Sequence, residues 1–386
     1  MKNKLPLFVV VLVILVLVSI GVISAQGNPF GAGNAGGFEA SELPVQSPVL
    51  SKAEQAASLA YWTPERDAAA RPVVMVDFNA DGGIDREGLR DAKEVAGQST
   101  RFEAGAANPN AEALARSVYA EEWAAAETAA AEGPAVVEGT SEVFTGYVIK
   151  ESHFHKWYPH KFVGRFKFTN GSGGTSYCSG TAISGNNMVT AAHCVFDNNT
   201  NTWNTNMTFT PAYRNGAAPY GVFPTSSCWI WPAFIALPAS YSISTWAPLD
   251  MSVCDMGLNS TGKTLNYMVG WAGREVNASY TRHVHNLGFP WNDTNWPIGT
   301  WWTAGRYLWA CVAESAYYVN EVRRAGCNTG GGMSGGPWMT KYEAVAVSGY
   351  VTSVNSGLIY NSKNLYAGRF NSSNFTPLCD SGAADC

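Results

Sequence analysis

A histidine among small residues and a serine among glycines are the parts of this chain best suited to chemistry. Thr190-Ala191-Ala192-His193-Cys194 comes first, and Gly331-Gly332-Met333-Ser334-Gly335-Gly336-Pro337 follows. A serine hydroxyl is a weak nucleophile until a neighbouring base takes its proton. His193 is the candidate base, because it follows the run Met188–Ala192, where a strand can end and small side chains leave the ring facing a cleft. The glycines around Ser334 let the backbone approach a substrate closely. The N–H groups of Gly332 and Ser334 can then converge as an oxyanion hole, holding the charge that develops on a carbonyl oxygen. Each segment also has a plainer reading: a structural histidine beside a disulfide, and a glycine-rich loop.

The base needs a carboxylate to orient it. Asp250 opens a run, Asp250–Met256, in which Met251, Val253 and Asp255 share one face of a strand. An acid at a strand entrance can point into a cleft while the strand anchors it. Asp255 is the rival, but it lies inside the strand, where an unpaired charge is costly. Asp197 follows the histidine too closely to return to its ring. The elements that must hold these residues read as strands. Short apolar or alternating runs at Phe162–Phe168, Gly180–Ser184, Met188–Ala192, Met207–Thr210, Met251–Met256, Leu265–Trp271 and Ala344–Ser353 are separated by Gly, Asn, Ser and Pro clusters. Frequent short strands predict an all-β sandwich or barrel.

The 386-residue chain has room for a full core and an accessory segment. A net charge of −5 and the absence of a basic run give no case for nucleic acid. Lys2, Lys4, the apolar stretch Leu7–Ile23 and the small residues Ile23-Ser24-Ala25 predict a signal peptide over residues 1–25, with an uncleaved anchor as the rival. Either reading sends the remainder out of the cytoplasm, and eight cysteines then make disulfides the default. Residues 26–142 contain no cysteine, and from Ala40 to Gly139 they are rich in Ala and Glu, with a helical stretch at Ala113–Ala131. Such a segment buries little apolar area alone, so a helical or disordered pro-region is expected, followed by a compact domain over residues 143–386.

The order His193, Asp250, Ser334 is that of the chymotrypsin arrangement. Thr190–Cys194, Asp250-Met251-Ser252-Val253 and Gly332–Pro337 resemble the histidine, aspartate and serine motifs of the chymotrypsin-like (trypsin-like) serine proteases. The likeness runs from about Val143 to Cys386. It implies two packed six-stranded antiparallel β-barrels with the triad between them, a disulfide from Cys178 to Cys194, and hydrolysis of protein or peptide substrates with no cofactor or metal. A narrower likeness is to the secreted microbial branch related to V8-type glutamyl endopeptidases. It rests on Val163–Phe168, on Phe209–Gly216 with Tyr220-Gly221, and on Cys327–Trp338. Tyr61-Trp62-Thr63-Pro64-Glu65-Arg66 resembles a string from the pro-regions of these secreted proteases. The expected protein is a secreted, extracellular monomer, free of the membrane once the signal is cut. A catalytically inactive protease-like binding module and an esterase with the same nucleophile are the alternatives.

Some positions depart from the pattern. Met333 stands where digestive-type relatives carry an aspartate that pairs with a newly freed N-terminus, so activation by N-terminal insertion is not expected. Removing the residues up to about 140 would instead relieve masking or end a folding role. Asn328, Thr352 and Ser353 are the candidate substrate-pocket residues, and they predict a neutral pocket, matching neither an Arg/Lys nor a Glu signature. The six other cysteines allow 15 connectivities. Sequence proximity favours Cys228–Cys254, Cys311–Cys327 and Cys379–Cys386. Asp77–Asp85 begins like a calcium loop but has Gly88 where the bidentate acid belongs, so an acidic turn is the alternative. His283 with His285, and His153 with His155, lack further ligands at metal-site spacing.

Overall fold

A computed structural model describes residues 43–73, 76–78, 99–128, 137–138, 144–149, 156–237, 241–291, 304–327, 329–343, 346–359, 363–381 and 386. The chain divides into two units, Met1–Gly36 and Gly37–Cys386, and every described residue belongs to the second. The signal peptide, Asn328, most of the acidic turn, His153 and His155 lie outside the described residues.

The first half of the predicted domain is a closed barrel. Strands β1 (Val163–Thr169), β2 (Thr175–Ile183), β3 (Asn187–Thr190), β4 (Thr205–Pro211), β5 (Phe223–Ile230) and β6 (Ser252–Met256) pair in the order β5-β4-β1-β2-β3-β6, and β6 returns to β5. All these pairings are antiparallel. Phe162, Phe166, Phe168, Phe209, Phe223, Met188, Val189 and Val253 are buried in the core. The β3–β6 pairing sets Ser252 opposite Thr190. That register brings the entrance of β6, where Asp250 sits, beside the exit of β3, where His193 sits.

The second half is a larger sheet built on β7 (Gly273–Val276), β8 (Arg282–Gly288), β9 (Trp309–Val319), β10 (Val322–Gly326), β11 (Pro337–Thr340), β12 (Tyr350–Val354), β13 (Gly357–Ile359) and β14 (Asn364–Gly368). These pair along the path β13-β14-β10-β9-β8-β11-β12-β7. The all-β expectation and a six-stranded barrel therefore hold. Leu265–Trp271 was expected as a strand and is instead a short helix, Leu265–Val269. The Thr264 hydroxyl caps it by accepting from the Tyr267 N–H, and Gly270 ends it with φ at 76°. The strand expected over Ala344–Ser353 begins only at Tyr350.

The described residues of the N-terminal region include the helices that its composition predicts and short strands that it does not. Helix α1 (Lys52–Tyr61) starts in a capping box, with the Ser51 N–H donating to Glu54 and the Glu54 N–H to Ser51 Oγ. Helix α2 (Pro64–Ala69) starts with Thr63 as cap and Pro64 in its first turn. Helices α3 (Ala111–Val118) and α4 (Ala120–Thr128) bury Ala111, Ala115, Trp123 and Ala126. Trp123 meets Tyr220 edge-on at 5.4 Å. This region also adds strands to both sheets. Val45–Gln46 pairs with β5, Arg71–Pro72 with β2, Val76–Phe78 with β13, and Thr100–Phe102 with β7. Among the described residues, Ala70, Ala111, Ala115 and Trp123 of this region join the same core cluster as the barrel.

All four disulfides join the expected pairs: Cys178–Cys194, Cys228–Cys254, Cys311–Cys327 and Cys379–Cys386. Each closes a loop of at most 26 residues. Among the described residues, no helix is long and apolar enough to cross a membrane.

Candidate active site

His193 lies in a single turn, Ala192–Cys194, directly after β3, and Cys194 ties that turn back to β2. Asp250 follows helix α5 (Ile243–Trp246), whose Trp246 and Ala247 carbonyls accept from its N–H. The two residues meet twice. The His193 N–H donates to Asp250 Oδ1 at 2.9 Å, and His193 Nδ1 lies 2.7 Å from Asp250 Oδ2. Trp246 Nε1 at 2.9 Å and Ser356 Oγ at 2.5 Å also donate to Oδ2. The Asp250 side chain is fully buried, and these donors satisfy oxygens that burial has removed from water. It fixes the ring face and leaves Nε2 turned away from the acid.

The two rejected acids are elsewhere. Asp255 pairs across the barrel with Ser227 and Asn187, and burial pushes its carboxyl up. Asp197 accepts from the Gly171 and Asn199 N–H groups in a surface turn.

Ser334 sits in a tight loop ahead of β11, tied down on several sides. The Ser179 N–H donates to the Ser334 carbonyl and Ser179 Oγ to the Gly332 carbonyl, both at 2.8 Å. Asn355 Nδ2 donates to the Met333 carbonyl, while the Asn355 backbone exchanges hydrogen bonds with Gly335 and Gly336. Gly335 adopts φ 75°, and a Cβ there would collide with Thr190 Oγ1 and the Ser179 carbonyl. The residue after the serine is thus wedged against the strand that leads to His193. Met333 is fully buried among apolar side chains, including Trp338 and Leu365. Ser334 Oγ and His193 Nε2 are both shut off from solvent, and neither has a hydrogen-bond partner among the described residues. The Gly332 N–H, the expected oxyanion donor, points at the carbonyl of Val73, 3.2 Å away.

The expected pocket wall needs a correction in register. Thr352 and Ser353 are fully buried and bonded inward. Thr352 Oγ1 accepts from Arg323 at 2.8 Å, and Ser353 Oγ donates to the Thr352 carbonyl. The residue of this stretch that reaches the site is Ser356, and β13 begins immediately after it. Sequence reasoning missed Ser356, Asn355, Ser179 and Arg323. Each acts on a partner distant in the chain, so no local string marks it.

Cys178, His193 and Cys194 place their donor atoms within 4.8 Å of one another, the two sulfurs being joined in the disulfide.

No family model matches the chain. Over 198 residues it is 25% identical to an extracellular metalloprotease of Bacillus subtilis (strain 168), matching half of this chain and 56% of that protein. The chain thus spans little more than half the length of this curated relative. Similar solved structures are those of proteases. The protease Anisep from Arthrobacter nicotinovorans is 28% identical, with 59% of this chain and 97% of that one covered and a TM-score of 0.48. A thermostable serine protease, AL20, from an extremophilic microorganism is 20% identical, with 58% and 99% covered and a TM-score of 0.46. A Glu endopeptidase is 15% identical, with 65% and 100% covered and a TM-score of 0.48.

Proposed function

We propose that the chain is a secreted serine endopeptidase. Ser334 Oγ attacks the scissile carbonyl while His193 Nε2 takes its proton, and Asp250 holds the ring and stabilises the imidazolium. The Gly332 and Ser334 amides receive the oxyanion, a contribution of about 3–4 kcal/mol per donor in such sites. His193 then protonates the leaving amine, and water repeats the sequence on the acyl-enzyme. The observation that carries this reading is the double hydrogen bond between His193 and Asp250, with the Ser334 loop wedged against the same strand exit. The four disulfides favour an oxidising compartment and so secretion.

The name of the Bacillus relative raises a metal-dependent alternative. The one group of potential ligands found among the described residues, Cys178, His193 and Cys194, does not suit a metal, since the two sulfurs are bonded to each other rather than free as thiolates. The test is active-site labelling with a fluorophosphonate after release of the N-terminal region, with and without chelator. The expected result is labelling that a chelator leaves intact and Ser334→Ala abolishes. Labelling that persists in Ser334→Ala, or peptide hydrolysis that EDTA stops, would refute the serine mechanism.

A further inference from the structure

The N-terminal region does more than cover the barrel. Two of its short strands pair with segments that adjoin the site, one on each sheet. Arg71–Pro72 pairs in parallel with Ser176–Tyr177, just ahead of Cys178, and the Val73 N–H donates to the Tyr177 carbonyl at 2.9 Å. Val76–Phe78 pairs in parallel with Gly357–Ile359, just after Ser356, the residue bonded to Asp250. Val73 and Val76 are three peptide steps apart, a reach of about 10 Å in extended chain. One pass of chain therefore joins the barrel side of the site to the sheet side, and where it leaves the barrel the Val73 carbonyl takes the Gly332 N–H.

A second contact clasps this segment from helix α2. Asp67 Oδ1 lies 3.0 Å from Lys167 Nζ and 3.4 Å from Arg165 Nη1. Both cations are buried, and burial pushes the Lys167 ammonium down, so the acid offsets much of their desolvation. Arg165 also stacks on the Tyr177 ring at 4.0 Å, the residue whose carbonyl holds Val73. Trp62, at the end of α1, donates to the Asn206 carbonyl and lies under Lys167. The Tyr61–Arg66 string thus docks the helices that aim residues 71–78. Ser334 itself is 0% exposed.

We propose that the segment around Arg71–Val73 and Val76–Phe78 is a built-in inhibitor, clasped by Asp67 on Arg165 and Lys167, with the Val73 carbonyl occupying the oxyanion donor Gly332. The proposal rests on the serine endopeptidase reading for its consequence, although the docking itself does not depend on catalysis. It is tested on the full chain carrying a specific protease site within residues 129–136. Fluorophosphonate labelling of Ser334 is measured before and after the cut, and hydrogen exchange at the Gly332 amide is followed in parallel. The uncut chain is expected to label at least tenfold more slowly than the cut one. Asp67→Ala in the uncut chain is expected to raise both labelling and Gly332 exchange at least tenfold, with Asp67→Glu restoring the slow rates. Val73→Pro, which removes the N–H given to Tyr177, is expected to act in the same direction without touching the ion pair. Equal labelling of cut and uncut chains, Gly332 exchange indifferent to both substitutions, or cleavage of the Val73–Val74 bond in step with activation overturns the proposal. If Asp67→Ala frees the Gly332 amide yet no form ever labels, the docking stands and the serine chemistry falls.

Discussion

Asp250 illustrates how much of the site rests on single side chains. Its Oδ2 accepts from Trp246 and Ser356 as well as facing the His193 ring. Removing one hydrogen bond to a buried carboxylate costs about 1.5–3 kcal/mol. Ser356→Ala is therefore expected to lower kcat of the released enzyme by about tenfold or more while leaving KM nearly unchanged, as for a group that orients the base rather than holding substrate. Steady-state kinetics on a peptide ester checks this, and a change confined to KM would assign Ser356 to binding. Met333 makes a different point. Its side chain is wholly buried in apolar surroundings, so the serine loop is held by packing and by Asn355 without an ion pair to a new N-terminus. One extra residue at the N-terminus of the released enzyme is expected to leave the labelling rate within twofold, and complete loss of labelling would contradict this. The contact between His193 and Asp250 was legible in the sequence, because each sits in a short string at the end of a strand that the alternation of residues also marks. Ser356 and Asn355 were not, because their work is done across a sheet.

Among the elements, the barrel was the most readable. Five of its six strands coincide with apolar or alternating runs, because their inward faces are filled by one core of Phe, Met and Val. Leu265–Val269 misled the reading, since an apolar run of that length suits strand or helix equally, and the cap at Thr264 and Gly270 decided for helix. The pocket wall misled it differently. The β11–β12 pairing carries an irregularity between Trp338 and Met339 that leaves Thr352 out of register, so simple alternation does not hold along β12. The contact between the serine loop and β3 is the element-scale feature most exposed to a single change. Gly335→Ala must place a Cβ against Thr190 and Ser179 at φ 75°. We expect it to abolish labelling and lower the melting temperature. Unchanged melting with normal labelling would show that the two segments separate freely.

Across the whole molecule, the N-terminal region was the least legible part. Its sparse aromatics indicate that it cannot fold alone, but not that the two sheets supply the missing surface. Buried histidines give the molecule a pH signature. Burial pushes His160 down to about 3 and His285 down to about 4, with His285 adding to the effect on His160 and His283 to that on His285. Both folded values lie below the unfolded value near 6.5, so the unfolded chain takes protons first as pH falls. The stability is complete above about pH 6.5 and declines toward pH 4, by about 1.4 kcal/mol per pH unit for each group. Thermal melting between pH 7 and 5 should show this slope, and His285→Phe should reduce it. A melting temperature independent of pH over that range would exclude it. The cysteine distribution carries one more consequence. The first cysteine is Cys178, so no disulfide ties residues 43–128 to the rest, and their covalent link is the backbone. While the chain is whole, a tethered segment faces its groove at an effective concentration of the order of millimolar. One cut between the segment and the domain converts it into a free ligand, whose occupancy follows its own dilution. Activity after cutting should therefore emerge readily in a dilute medium and stay suppressed in a concentrated one.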